Sequence, residues 1–271
     1  MAAISRRNLL KSALIGAAGG VALGAFADLD THLIKLERHT LYLRNWQADG
    51  FRVALLADVH VNDPEAARIA AKAAQMAVDE KPDLIVMAGD FVNSSGRVIL
   101  DHIGPAFVPV SDCSIPSIAV MGNHDYWTAV PNKVIRTVHR DTNLRMLRNE
   151  SVEVQGVLVT GLDDGIGGVP DYDLKGTAGH PSHLVAFHEP DFVDRFRAKA
   201  AIVLSGHSHG GQVCLPGGIP IGTSYGGRKY VSGFFDLPKA GLYVSRGIGT
   251  SGPDFRLFCP PEVTLLTLRS A

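Results

Sequence analysis

Five times along this chain a short run of Val, Ile, Leu and Ala ends abruptly in polar residues, and Asp, Asn or His is among them each time. The runs are FRVALLADVH from Phe51, DLIVMAGD from Asp83, SIAVMGNHD from Ser117, HLVAFHEPD from His183 and AAIVLSGHSH from Ala200. Continuous apolar runs of this length read as strands buried on both faces, the kind found in parallel sheets covered by helices. In open α/β sheets ligands bind beyond the carboxyl ends of the strands, where loops from separate strands meet. Every polar cluster here sits at such an end.

The runs starting at Phe51, Leu84 and Ser117 begin 33 residues apart, a natural length for a strand–helix–strand unit. Pro64 to Glu80 is alanine-rich with Pro at its start, and Pro131 to Arg140 follows the third run; both are predicted helices. Ser151 to Thr160, Gly241 to Ser245 and Glu262 to Leu268 alternate and are expected to be strands of a second packed sheet, with Pro216 to Gly227 a long loop. No Pro- or Ser-rich linker divides residues 28–271, so one domain is expected, large enough for a single core at 271 residues in all.

Residues 1–27 differ from the rest. Ser5-Arg6-Arg7-Asn8-Leu9-Leu10-Lys11 precedes an uncharged Ala/Gly-rich run, Ser12 to Ala27, that ends in Ala25-Phe26-Ala27. The run is short for a membrane span, and the pattern resembles a twin-arginine signal, although Asn8-Leu9 departs from its commonest form. The expected partner is then the twin-arginine export machinery, and the expected location the periplasm or cell envelope, with membrane anchoring if the segment is not cleaved. The net charge of -1 gives no overall field toward nucleic acid. Cys113, Cys214 and Cys259 are odd in number and lack C-x-x-C spacing, which argues against a disulfide framework or a zinc knuckle.

The strand ends supply Asp58-x-His60, Gly89-Asp90, Gly122-Asn123-His124-Asp125, His188 and Gly206-His207-Ser208-His209. Any one of these alone is most often a turn. Together, carboxylates and imidazoles suit borderline divalent metals such as Mn, Fe, Zn or Co, and the size of the set suggests two ions.

The order D-x-H, G-D, G-N-H-D, H, G-H-x-H resembles that of the calcineurin-like metallophosphoesterases, with similarity from about Leu33 to the C-terminus. Within that family it most resembles the bacterial branch that includes exported phosphodiesterase-like proteins and relatives of UDP-2,3-diacylglucosamine pyrophosphatase. The resemblance implies a four-layer α/β sandwich, two mixed sheets flanked by helices. It implies that Asp58, His60 and His209 hold one metal, that Asn123, His188 and His207 hold the other, and that Asp90 bridges them. It further implies hydrolysis of phosphodiester or pyrophosphate bonds by a metal-bridging hydroxide, with lipid- or nucleotide-sugar-linked phosphate esters among the substrates. His124 is then expected to act as general acid or charge stabiliser for the leaving oxygen, oriented by Asp125.

Two rivals stand beside this reading. Gly206-His207-Ser208-His209-Gly210 also satisfies G-x-S-x-G after a strand, the elbow of serine esterases. That fold needs a His later in the chain, and none follows His209. The other rival is an envelope protein that binds metal without turnover, which would be expected to lack a ligand or His124. The loops Asp163 to Gly179 and Pro216 to Lys229 are expected to shape the pocket, with Arg228, Lys229 and Arg246 as candidate phosphate contacts.

Overall fold

The computed structural model describes residues 29–271 except 94–99 and 178, together with residues 24 and 27. The twin-arginine signal expected over residues 1–27 therefore lies almost wholly outside the described residues. Among the described residues no helix is long and apolar enough to cross a membrane.

Two six-stranded sheets pack face to face. The first runs in the order Lys35–Leu43, Glu262–Ser270, Phe51–Leu56, Leu84–Ala88, Ser117–Val120, Arg145–Met146. The second runs Gly233–Asp236, Gly241–Val244, Ile202–Ser205, His183–Ala186, Val157–Gly161, Glu150–Val154. Successive side chains of a strand point to opposite faces, and the cores divide accordingly. Val53, Leu55, Leu84, Val86, Ile118 and Val120 meet Val157, Val159, Leu184, Ala186, Ile202 and Leu204 between the sheets. The alternate residues Ala54, Leu56, Ile85, Met87 and Ala119 face three helices instead. These are α1 (Pro64–Asp79), α2 (Ile103–Ser111) and, after the short α3 (Asn123–Trp127), α4 (Pro131–Asp141).

Helix α1 begins where the sequence indicates: Asp63 caps it by accepting from the Ala66 amide at 2.8 Å, and Pro64 occupies the first turn. Its buried face is Ala67, Ala70, Ala73, Ala74 and Ala77, small enough to let the helix lie close on the sheet. On the outer face of the second sheet, Val185, Val203, Leu242 and Val244 are covered by Phe187, Phe192 and Phe196, from a 3₁₀ turn at Pro190–Arg195 and its neighbours.

The five anticipated strands pair in parallel within each sheet, Phe51–Leu56 with Leu84–Ala88 with Ser117–Val120, and His183–Ala186 with Ile202–Ser205. Their carboxyl ends therefore converge. Three expectations need correction. Ser151 to Thr160 is a hairpin, Glu150–Val154 and Val157–Gly161, turning at Gln155 and Gly156, both at positive φ. Glu262–Ser270 belongs to the first sheet, where it pairs parallel to Lys35–Leu43 and antiparallel to Phe51–Leu56. The loop Pro216 to Gly227 contains a strand, Ile219–Pro220, paired with Cys214–Leu215.

Candidate metal centre

The backbone makes the site before the side chains do. Asp58, His60, Asp90, His207 and His209 all lie in the left-handed region, at φ 54°, 45°, 56°, 70° and 51°. A non-glycine residue there is uncommon, and such conformations gather at functional sites because the surroundings must hold them. Hydrogen bonds between strand ends do so. The Asp58 amide donates to the Gly89 carbonyl at 3.0 Å, the His60 amide to the Asp90 carbonyl at 3.1 Å, and the His207 amide to both carboxylate oxygens of Asp58 at 3.0 Å.

The glycines of the motifs have a steric reason. A Cβ at Gly122 would collide with the Asp90 carboxylate, one at Gly206 with the Asp58 carboxylate, and one at Gly89 with the His188 ring. Gly122→Ala is therefore expected to displace Asp90, lowering bound metal and activity together. Metal analysis of the purified variant beside its rate checks this.

Among the described residues, three trios with potential donor atoms within 4.8 Å of one another result, of which two share no residue: Asp58, His60, His209, and Asp90, His188, His207; the remaining one, His60, Asp90, His124, overlaps both. Asn123 Oδ1 lies 2.8 Å from His207 Nδ1 and 3.2 Å from His188 Nε2, which places it with the second trio. Asp90 stands between the trios, its Oδ2 3.2 Å from His188 Nε2 and 3.5 Å from His60 Nε2. His60 and His209 bring their Nε2 atoms to 3.0 Å. Second partners orient the rings: His188 Nδ1–H donates to the Ala88 carbonyl at 2.7 Å and His207 Nε2–H to the Tyr225 carbonyl at 2.9 Å. That leaves His188 Nε2 and His207 Nδ1 turned into the site, the arrangement in which imidazole is a metal ligand.

The electrostatics fit divalent cations. Burial pushes His60 down to about 3, His207 to about 4 and His209 well below its ordinary range, so all three present lone pairs. Burial lifts the Asp58 carboxyl to about 7 against the pull of His188. Burial would also lift Asp90, but the attraction of His188 outweighs it and holds Asp90 below the usual carboxylate range. Burial works against His188 too, yet Asp90 raises it well above its ordinary value. A buried Asp90–His188 ion pair is the result, and a divalent ion would take the place of its proton.

His124 lies at the mouth. Its amide donates to Asp90 Oδ1 at 2.9 Å, its ring sits 4.8 Å from those of both His60 and Trp127, and Ser251 Oγ is 3.2 Å from its Nε2. Asp125 does not orient that ring. Its buried carboxylate accepts from the amides of Phe91 at 2.9 Å, Gly122 at 3.0 Å and Val92 at 3.2 Å, clamping the loop after Leu84–Ala88 to the start of α3. Ser251, His60 and Trp127 stand beside the His124 ring.

The cleft over the centre has a volume of about 480 Å³ and includes Ile166 and the stretch from Ile221 to Tyr225 in its walls. Arg228, Lys229 and Arg246 do not line it. Arg246 pairs with Glu37 at 2.6 Å and Glu262 at 2.5 Å, and Lys229 with Asp194 at 2.6 Å. Ser208 is not poised as a nucleophile: its hydroxyl donates to the Val231 carbonyl at 2.5 Å, and its own backbone is in the ordinary helical region.

Two buried features carry no motif. Arg256 is wholly buried, donates to the carbonyls of Gly249 at 2.7 Å, Arg246 at 2.9 Å, Cys259 at 3.2 Å and His209 at 3.3 Å, and lies 3.3 Å from His209 Nδ1. Arg256→Met is expected to cost on the order of 3 kcal/mol, since four buried carbonyls lose a charged donor; thermal unfolding measures it. Glu189 is driven well above its ordinary range by burial and then by Asp164, and Glu189 Oε1 and Asp164 Oδ2 are both buried without a hydrogen-bond partner.

With this geometry in place, the comparisons with known proteins decide the family. Residues 51–211, more than half of the chain, match the family model described as calcineurin-like phosphoesterase. The chain belongs to that family. Metallophosphoesterase YkuE of Bacillus subtilis is 29% identical over all of this chain and 99% of its own length. Phosphodiesterase YaeI of Escherichia coli is 27% identical, over 98% of this chain and 99% of its own. UDP-2,3-diacylglucosamine pyrophosphatase LpxG of Chlamydia muridarum is 24% identical, over 88% and 90%. The fold matches that of a dimetal phosphatase from Danio rerio at a TM-score of 0.50 and 12% identity, covering 81% of this chain and 99% of that one. The protein is a metal-dependent phosphohydrolase.

Proposed function

We propose that this protein hydrolyses phosphodiester or pyrophosphate bonds with two divalent ions, held as Asp58, His60, His209 and as Asn123, His188, His207, with Asp90 shared between them. The observation that carries the reading is Asp90, whose one carboxylate faces a histidine of each trio at 3.2 and 3.5 Å. When bound, such ions acidify a water and neutralise charge on the phosphoryl group.

The chain's own residues do the rest. Asp58 and Asp90 are the carboxylates of the donor set, and neutral Asn123 adds no third negative charge, so two divalent ions would leave a net positive centre facing the cleft. The strand-end hydrogen bonds fix donors and substrate site in one rigid frame. We assign to His124, at the rim beside Trp127 and Ser251, the handing of a proton to the departing oxygen, a role its position at the mouth supports. The names of YaeI and LpxG support diester and pyrophosphate chemistry respectively, and LpxG supports a lipid-linked substrate. Manganese is the first ion to try, and export through the twin-arginine route to the periplasm is part of the same proposal, resting on residues 1–27.

The test is hydrolysis of bis-p-nitrophenyl phosphate after chelation. Chelated protein is expected to be inactive, and Mn²⁺ to restore turnover with two ions bound per chain. A chelated sample that retains full activity would overturn metal-dependent hydrolysis at this centre, and a single bound ion at full activity would overturn the shared role of Asp90.

A further inference from the structure

The surface around the mouth of the cleft is more apolar than phosphoester chemistry requires. Trp127 and Ile221 line the cleft and remain 54% and 65% exposed. Leu215 and Ile219, at 52% and 59%, are direct partners across the short hairpin, so both side chains leave the same face of it. Isolated surface leucines are ordinary, but apolar residues gathered at a functional opening mark a contact surface.

This rim is tied to the place where the chain enters the fold. The Cys214 amide donates to the Leu257 carbonyl at 2.9 Å, and the Gln212 side chain to the Pro253 carbonyl at 2.7 Å, so hairpin and cleft are fastened to one segment, 251–257. Phe255, on that segment, is 41% exposed. The next residue, Arg256, gives its amide to Thr31 Oγ1 at 2.7 Å, and the Cys259 amide binds the Asp30 carboxylate at 3.0 Å. Thr31 in turn bonds the Ala27 carbonyl at 2.6 Å, and Leu29 and Leu33 are exposed beside it. The uncharged run Ser12 to Ala27 therefore joins the domain at the same segment that holds the hairpin.

We propose that the rim formed by Trp127, Leu215, Ile219, Ile221 and Phe255 docks on the surface of a phospholipid bilayer, so that the metal centre opens toward the membrane. The apolar run Ser12 to Ala27 selects this occupant over a second copy of the protein, because a run of that composition has affinity for lipid and joins the domain, through Thr31, at the segment that holds the rim. Tryptophan with aliphatic neighbours is the composition of such boundaries. Among the described residues no Lys or Arg lines the cleft, so attachment there rests on apolar burial and does not require anionic lipid. A phosphodiester borne on a lipid would then reach the centre without leaving the surface.

The chain offers its own probe. It has two tryptophans, Trp127 in the rim and Trp46, only 3% exposed, between the sheets. The full chain is mixed with phosphatidylcholine vesicles, plain or brominated on the acyl chains, and read by flotation and tryptophan emission. The expected result is flotation with a blue shift and quenching by brominated lipid, the quenching absent in Trp127→Phe. Changing Leu215, Ile219 and Ile221 together to Ser is expected to weaken wild-type quenching and, in a chain whose N-terminal run has been cleaved, to lower partition about tenfold. If that variant fails to fold, the wild-type quenching still decides. Flotation with equal emission in plain and brominated lipid would show that the N-terminal run alone binds, and would overturn the proposal. So would failure to float, or a blue shift that grows with protein concentration without vesicles, which would assign the rim to a second copy. Every readout is of binding, so it stands or falls separately from phosphodiester hydrolysis.

Discussion

Replacing Asp90 with Ala is expected to abolish turnover, with a loss on the order of a thousand-fold or more, and to lower the bound metal. The reason is geometric: its Oδ2 is the oxygen within reach of both His60 and His188, and its Oδ1 fixes the His124 amide at 2.9 Å. Removing it unties both trios and the mouth of the cleft at once. Asp90→Asn is the control, since Asn keeps the shape and tolerates the left-handed backbone at this position, φ 56°. It is expected to fold like the wild type and still lose most activity. Full metal content in Asp90→Ala would contradict the bridging role.

His124→Ala is expected to lower kcat by about a hundred- to ten-thousand-fold with metal content unchanged, the range for loss of a positioned acid. The competing possibility is specific: His60, Asp90 and His124 also bring donor atoms within 4.8 Å of one another, so the ring could instead serve an ion. Loss of metal in this variant would assign His124 to coordination. Retained metal with a kcat fall, and a smaller fall for substrates with better leaving groups, assigns it to the departing oxygen.

How far the sequence spoke follows from where burial leaves a periodic mark. Strands such as Leu84–Ala88 and Ile202–Ser205 are buried on both faces and stand out as continuous apolar runs, and the polar cluster after each was visible for the same reason. Lys35–Leu43 was not, because this edge strand exposes much of its length and carries Lys35, Glu37 and Arg38. Helix α2 was hidden by Gly104 and Pro109, which locally argue against a helix and are overruled by packing of Ile103, Ala106, Phe107 and Val110. The sheet membership of Glu262–Ser270 depends on partners more than two hundred positions away, which no local pattern encodes. Within the site, adjacency misled: Asp125 follows His124 in the chain, but the turn of α3 sends its carboxylate to backbone amides. Arg256, in a stretch of Ser, Gly and Pro, had the local composition of a surface loop and is instead the largest wholly buried side chain.

The left-handed backbone at five of the candidate ligands limits how the centre can change. Asp, Asn and His are the non-glycine residues that enter this region most readily, and β-branched or bulky ones resist it. The fold therefore filters which side chains can be offered to an ion before coordination chemistry has any say. Redesigning the centre for a softer ion through Cys would have to overcome this filter at Asp58, His60, Asp90, His207 and His209. Asn123 and His188, whose backbones are free of it, are the positions where a change of ligand would meet least resistance, so altered metal preference is most accessible through the second trio.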